Sequence, residues 1–162
     1  MSNIRAATPD DAESICLIYN HYVRHSSISF EECDVDASEM SRRIVDVTAH
    51  LPWVVLENEG VVDGYAYATK WRLRSAYRFS VEISVYLSMA ATGKGYGTRL
   101  YDALMAQLDA LGVHAVMAGI SLPNPLSIKL HEKMGFKKVA HFEHVGFKNQ
   151  QWIDVGYWQK IL

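Results

Sequence analysis

The chain has 162 residues, 49% of them hydrophobic and 21% charged, which suits one globular domain with a sizeable core. Its formal net charge of −2 offers no polybasic surface for nucleic acid or an anionic membrane. Cys16 and Cys33 are the only cysteines, MSNIRAATPDD has no charged-then-apolar signal pattern, and no apolar run is long enough to span a bilayer; free thiols in a cytoplasmic protein are the expectation.

Asn3 to Ala7 reads as a first strand. Thr8-Pro9-Asp10-Asp11 then opens a helix, with Thr8 as cap, proline at the first helical position and acids suited to the helix dipole. Ala12, Ile15, Tyr19, Tyr22 and Val23 form its apolar face. His25 to Asp36 reads as a loop in which Phe30 is the one large apolar side chain, and Ser38 to His50 as a second helix carrying Met40, Ile44 and Val47. Pro52 to Glu57 and Val61 to Leu73 are two strands joined by the hairpin turn Asn58-Glu59-Gly60.

The next strand alternates Phe79, Val81, Ile83, Val85 and Leu87 with Arg78, Ser80, Glu82, Ser84 and Tyr86. It runs into the glycine-rich turn Gly93-Lys94-Gly95-Tyr96-Gly97 and leaves as a helix with Leu100, Leu104, Leu108 and Leu111 at helical spacing. His114 to Ile120 is an apolar strand compatible with burial on both faces. Asn124-Pro125 opens a last helix whose core stripe is Leu126, Leu130 and Met134 and which Gly135 ends. Phe136 to Val145 and Trp152 to Leu162 close the chain as a strand pair. The order β α α β β β α β α β β predicts an α+β fold, a mixed and largely antiparallel sheet with helices on both faces, in one domain over residues 1–162.

Four groups of residues could carry chemistry. A strand, a glycine turn and a helix N-terminus together make an anion cradle, because backbone N–H groups and the helix dipole converge there. The turn lacks the hydroxyl after Gly-Lys that a P-loop needs, and no acid follows at dinucleotide-fold spacing; a tight turn without a ligand is the plain alternative. Asn124, Ser127 and His131 fall at i, i+3 and i+7, a polar stripe that faces either a ligand or solvent. Glu82, in mid-strand before the turn, is either a general base or an exposed strand acid. Arg72 and Arg74 alternate onto one strand face, fit for oxyanions or for protecting a sheet edge. The seven histidines show no metal-ligand spacing with acids or cysteines, and neither cysteine has an evident base partner.

Together these residues resemble the GCN5-related N-acetyltransferase (GNAT) superfamily over essentially the full length. The loop pattern Gln/Arg-x-x-Gly-x-Gly/Ala of that superfamily lands on Thr92-Gly93-Lys94-Gly95-Tyr96-Gly97, with Thr92 departing from the usual Gln or Arg. Within the superfamily the chain is similar to the phosphinothricin and methionine sulfoximine acetyltransferases, through YNHYVRHSSISFE, VEISVYL, AGISLPNPLSIKLHEKMGF and, most distinctively, VGFKNQQWIDVGYWQ.

The resemblance implies an acetyl-CoA co-substrate, no metal, a small amino-acid acceptor and a homodimer. It sets Val85, Tyr86 and Leu87 along the pantetheine arm, with the backbones of Val85 and Leu87 bonding it. It sets Gly93, Lys94, Gly95, Tyr96, Gly97 and Thr98 at the pyrophosphate, and Asn124 and Ser127 against the cofactor. Glu82 matches the general base, and His131 sits where many relatives carry a tyrosine acid. Phe30, Arg72, Arg74 and Tyr77 would line the amino-acid pocket, and the aromatics near Trp152, Tyr157 and Trp158 suit an interface. The rival expectations are an acetyltransferase for another amine, such as a protein N-terminus or polyamine, and a non-catalytic acyl-CoA sensor.

Overall fold

A computed structural model describes residues 1–162. Its strands and α-helices follow the expected order: β1 (Ser2–Ala6), α1 (Ala12–His25), α2 (Ala37–Thr48), β2 (Trp53–Asn58), β3 (Val61–Lys70), β4 (Ser80–Leu87), α3 (Tyr96–Ala110), β5 (Ala115–Ser121), α4 (Pro125–Lys133), β6 (Lys137–Lys148) and β7 (Gln151–Ile161). One seven-stranded sheet runs β1-β2-β3-β4-β5-β7-β6. Every neighbouring pair is antiparallel except β4 and β5, which α3 connects as a crossover.

The sheet is buried on both faces near its centre. On one face Val54, Leu56, Val81, Ile83, Val116 and Ile120 pack against Leu100, Leu104 and Leu108 of α3. On the other, Val55 and Tyr65 pack against Ile15, Tyr19 and Val23 of α1 and Met40 and Ile44 of α2. Trp53 through Leu56 therefore reads as a continuous apolar run, since alternate residues serve opposite cores. The β2–β3 turn places Glu59 and Gly60 at φ 52° and 83°, the left-handed pair that matches the twist of the flanking strands.

The ladders move two boundaries by several residues from the sequence reading, shortening β3 and lengthening the terminal hairpin. β3 stops at Lys70 because its last partner is Val81 at the start of β4, and Trp71 to Phe79 forms a connection with a short 3-10 turn at Ser75–Tyr77. Arg72 and Arg74 therefore do not share a strand face. β6 and β7 extend to Lys148 and Gln151 and turn through Asn149 and Gln150, whose φ values are 53° and 60°. Without a glycine, that turn carried no strong signal.

At the sheet's first edge Arg5 donates to both oxygens of Asp11 at 2.8 and 2.9 Å and to Glu57 at 2.7 and 3.0 Å, tying β1 to the start of α1 and to β2. Asp11 is buried, and the Arg5 guanidinium holds its carboxyl below the usual carboxylate range. Asp11 thus stabilises the fold fully above its unfolded pKa of about 3.9, and the contribution fades as pH falls through the lowered folded value. Asp11→Asn is expected to cost about 1 kcal/mol at neutral pH, allowing for Arg5's exposure to solvent, with the gap from wild type narrowing in acid. Urea unfolding at a series of pH values measures it.

Candidate active site

β4 and β5 pair only over Ser80–Glu82 and Ala115–Met117, and then they part. Each strand remains fully paired on its outer side: β4 with β3 out to Leu87, and β5 with β7 out to Ser121. The inner edges beyond Glu82 therefore form a fork through the sheet, where backbone groups can meet a ligand. The Leu87 carbonyl is partly committed, since the Tyr22 hydroxyl donates to it at 2.5 Å.

Glu82 stands at the fork's base, on the sheet face that also carries α1 and α2. It lines a cavity of about 830 Å³ with Tyr19, Phe30, Arg72, Tyr86 and Tyr157 among its walls. The face is covered, so Glu82 is half-buried and is no exposed strand acid. Burial pushes its carboxyl pKa up, while the Arg72 charge and the Tyr157 hydroxyl pull it down. Gly119 makes room for this arrangement. A β-carbon there would lie 3.3 Å from Glu82 Oε1 and 3.1 Å from the Tyr157 ring. Tyr157 pairs with Gly119 across β5 and β7, and its ring meets Trp71 edge-on at 5.4 Å.

The opposite side of the fork is a tight cavity of about 60 Å³ that shares Ile28, Tyr86, Gly119 and Ser121 with the large one. Asn124, Ser127, His131 and Tyr101 line it. The polar stripe on α4 thus faces inward. Leu126, assigned to the core stripe by spacing, is instead 82% exposed, whereas His131 is 3% exposed. The helix is rotated so that its imidazole packs between Tyr101 and Phe136. Asn124 does two things at once: it caps α4 by accepting from the Ser127 N–H at 3.2 Å, and it lines the fork.

The partners of His131 fix its protonation. Nδ1 lies 2.7 Å from the Ser127 carbonyl, which can only accept, so Nδ1 carries the hydrogen. Nε2 is then the acceptor for the Tyr101 hydroxyl at 2.9 Å. Burial lowers the imidazole pKa, which keeps this neutral tautomer, and raises the Tyr101 pKa above the ordinary phenol range. His131 consequently has no spare proton to present to the fork. The sequence expectation of a histidine acid meets this obstacle because side-chain spacing cannot show which partners a ring nitrogen already holds.

The glycine turn lies at the outer end of β4. Gly93 and Gly95 adopt φ of 75° and 77°, and a β-carbon on either would meet nothing within 4 Å. Glycine is thus required there for backbone conformation, and the space above the turn is open. Gly95 is the N-cap of α3, so the first N–H groups of Tyr96, Gly97 and Thr98 have no helical partner. Lys94 is exposed beside them. The Thr92 hydroxyl bonds back to the Met89 carbonyl at 2.9 Å. These groups suit the phosphates of a coenzyme, and the fork beyond Val85 suits an extended arm.

Of the substrate residues expected from sequence, Phe30 and Arg72 line the large cavity, whereas Arg74 and Tyr77 are exposed outside its lining. Arg72 stacks on Trp71 with its guanidinium carbon 4.3 Å from the ring centre. Tyr157 and Trp158 leave the interface patch: Tyr157 walls the cavity, and Trp158 is buried with its Nε1 donating to Glu132 at 3.3 Å. Tyr101, Gly119 and Tyr157 carried no local signal for the site, because only the register of β5 against β7 and the packing of α3 bring them to the fork.

A model of the acetyltransferase (GNAT) domain matches residues 4–156. The chain is 38% identical to a phosphinothricin N-acetyltransferase of Streptomyces viridochromogenes, over 97% of this chain and 86% of that one. It is 35% identical to an L-methionine sulfoximine/L-methionine sulfone acetyltransferase of Salmonella typhimurium, over 98% and 94%. Among solved structures, a GNAT superfamily phosphinothricin acetyltransferase from Sinorhizobium meliloti in complex with AcCoA superposes with a TM-score of 0.95 at 39% identity, covering 99% of this chain and 88% of that one.

The hydrogen-bond pattern at His131 makes a prediction that needs no substrate. Nitrogen-15 NMR of the imidazole should show the Nδ1–H tautomer at neutral pH, with protonation only below the ordinary histidine pKa of about 6.5. An imidazolium signal at pH 7 would contradict the assigned hydrogen bonds.

Proposed function

The chain belongs to the GNAT acetyltransferase family, and we propose that the amine it acetylates is the α-amino group of a small amino acid such as methionine sulfoximine, methionine sulfone or phosphinothricin. The activity is an acetyl-CoA-dependent N-acetyl transfer. The observation that carries the amino-acid reading is the half-buried Glu82 at the base of the fork, in a cavity it shares with Arg72. A base and a guanidinium in one cavity fit a substrate with an ammonium and an oxygen-rich anion. Glu31, the other acid on the cavity wall, is held by Arg43 at 2.7 and 2.9 Å, which leaves little negative charge for a polyamine.

Acetyl-CoA supplies an activated thioester. Its phosphates would lie over the N–H groups from Lys94 to Thr98, and its arm along Val85, Tyr86 and Leu87 toward Asn124 and Ser127. Glu82 accepts the proton an α-ammonium must lose before its nitrogen can attack. Arg72 holds the amino acid's carboxylate or its second oxyanion, and Phe30 packs on its side chain. N–H groups on the inner edge of β4 would stabilise negative charge on the thioester carbonyl oxygen as the amine adds, and breaking of the C–S bond would release coenzyme A as a thiolate that takes a proton from solvent. His131 acts through Tyr101, whose hydroxyl it orients on the far side of the fork. The whole of residues 1–162 works as one catalytic domain.

Thiol release from acetyl-CoA with a panel of amines tests the reading. Release with methionine sulfoximine and none with polyamines supports it; acetyl-CoA binding without release for any amine would make the chain a sensor. Glu82→Gln should lower kcat by about 100-fold or more while leaving acetyl-CoA affinity nearly unchanged. Because Glu82 must be ionised and burial raises its pKa, kcat/KM should rise with pH through that raised value. Arg72→Met removes a charge that lowers the pKa and should move the rising limb to higher pH.

The homodimer reading rests on exposed apolar side chains of the terminal hairpin: Phe147 and Trp152, whose rings meet at 4.8 Å, and, on the edge strand β6, Val139, Phe142 and Val145, which also line the large cavity. A second copy of the chain is the occupant proposed for this patch. Sedimentation should give a dimer for the wild type and a shift toward monomer for Trp152→Glu; a monomeric wild type would end the reading.

A further inference from the structure

The most distinctive stretch of the sequence, VGFKNQQWIDVGYWQ, contributes only Val145, Val155 and Tyr157 to the cavity, so most of it has no place in the mechanism. Its structure points to another task. Lys148, the last residue of β6, is 3% exposed, and its Nζ donates to the Ser29 carbonyl at 2.7 Å across 119 residues of chain. A lysine this deeply buried is rare without a partner, and its one hydrogen bond joins the hairpin to the loop between α1 and α2. Burial pushes its pKa down and the nearby carboxylates of Glu32 and Glu31 push it back up.

Two residues before it, Gly146 lies beneath the ring of Phe30, where an added β-carbon would come within 2.5 Å of Cε2 and Cζ. Ser29 is held through its side chain as well. Besides its carbonyl, its hydroxyl pairs with the Tyr19 hydroxyl at 2.7 Å and accepts from the Glu31 N–H at 3.1 Å. Ser29, Phe30 and Glu31 all line the cavity that contains Glu82. The hairpin supports this loop, since after an irregularity between Phe142 and Gly146 the pairing of β6 with β7 resumes and runs to Lys148 opposite Gln151.

We propose that the Lys148–Ser29 hydrogen bond and the Gly146–Phe30 contact form a latch that sets the roof of the amine cavity, making Lys148 and Gly146 positioning residues for the amine and not for acetyl-CoA. Neither Lys148 nor Gly146 lines the fork or the glycine turn, and of the loop they hold only Ile28 also lines the tight fork cavity, so the latch bears chiefly on the amine. The role assigned to Lys148 rests on the amine reading of this cavity, while the tethering of the roof does not.

Kinetics and amide hydrogen exchange on K148M test the latch. The KM for methionine sulfone should rise about tenfold, the scale of a lost charge-assisted hydrogen bond, with the KM for acetyl-CoA unchanged. Exchange at Ser29 to Glu31 should accelerate, and K148R, which keeps the charge and donors, should recover most of both. G146A should raise the amine KM in the same way, and that effect should vanish in an F30A background, where the ring it crowds is gone. This second pair decides the matter even where K148M fails to fold. Unchanged roof exchange, or an equal rise in both KM values, overturns the latch. A wild type that releases no thiol with any amine sinks the amine reading alone, and the exchange measurement still decides whether the roof is tethered.

Discussion

The parting of β4 from β5 after three paired residues is the constraint on which the site depends. Backbone N–H and C=O groups inside a protein need partners, and a sheet normally provides them on both sides of an interior strand. Here each strand keeps its outer partner and gives up the inner one. The loss is tolerable only where water or a ligand reaches the freed groups. The fork is therefore a binding feature written into the hydrogen-bond pattern before any side chain is considered. It also connects the two faces of the sheet, which otherwise are separate cores.

That connection explains the division of labour around it. Glu82 and Arg72 belong to one face, in a roomy cavity floored by Gly119. Tyr101 and His131 belong to the other, in a tight one. The different electrostatics follow from the different solvation. Glu82 is raised by burial yet partly balanced by a guanidinium, whereas His131 is kept neutral by burial, which outweighs the opposing pull of the Ser127 carbonyl that accepts from its Nδ1–H. The α3 N-terminus closes the third side with glycines that leave its N–H groups open.

The terminal hairpin is the complementary support. It encloses the large cavity through Val155 and Tyr157, and it reaches back through Lys148 to the loop after α1. Residues from both ends of the chain thus share one wall. A long-range tie of this sort places a loop without secondary structure at low conformational cost, because the β-ladder has already fixed the hairpin.

The sequence by itself determined the element order, the apolar run of β5 and the glycine turn at a helix start. These follow from periodicities of two and 3.6 and from the backbone demands of glycine and proline, all of which act over a few residues. It also marked Asn124, Ser127 and His131 as one polar stripe, and Glu82 as a separate candidate base, before their contacts were visible. Only the tertiary structure decided which side of α4 faces in, so that Leu126 is exposed and His131 buried. It alone ended β3 before Arg72 and Arg74 and moved Tyr157 from a surface patch to the cavity wall. It also gave Lys148 and Gly146 their partners in the loop after α1. The physical reason is common to all of these: each is set by strand register, helix rotation or a contact across the fold, and no local pattern encodes where a distant partner will be.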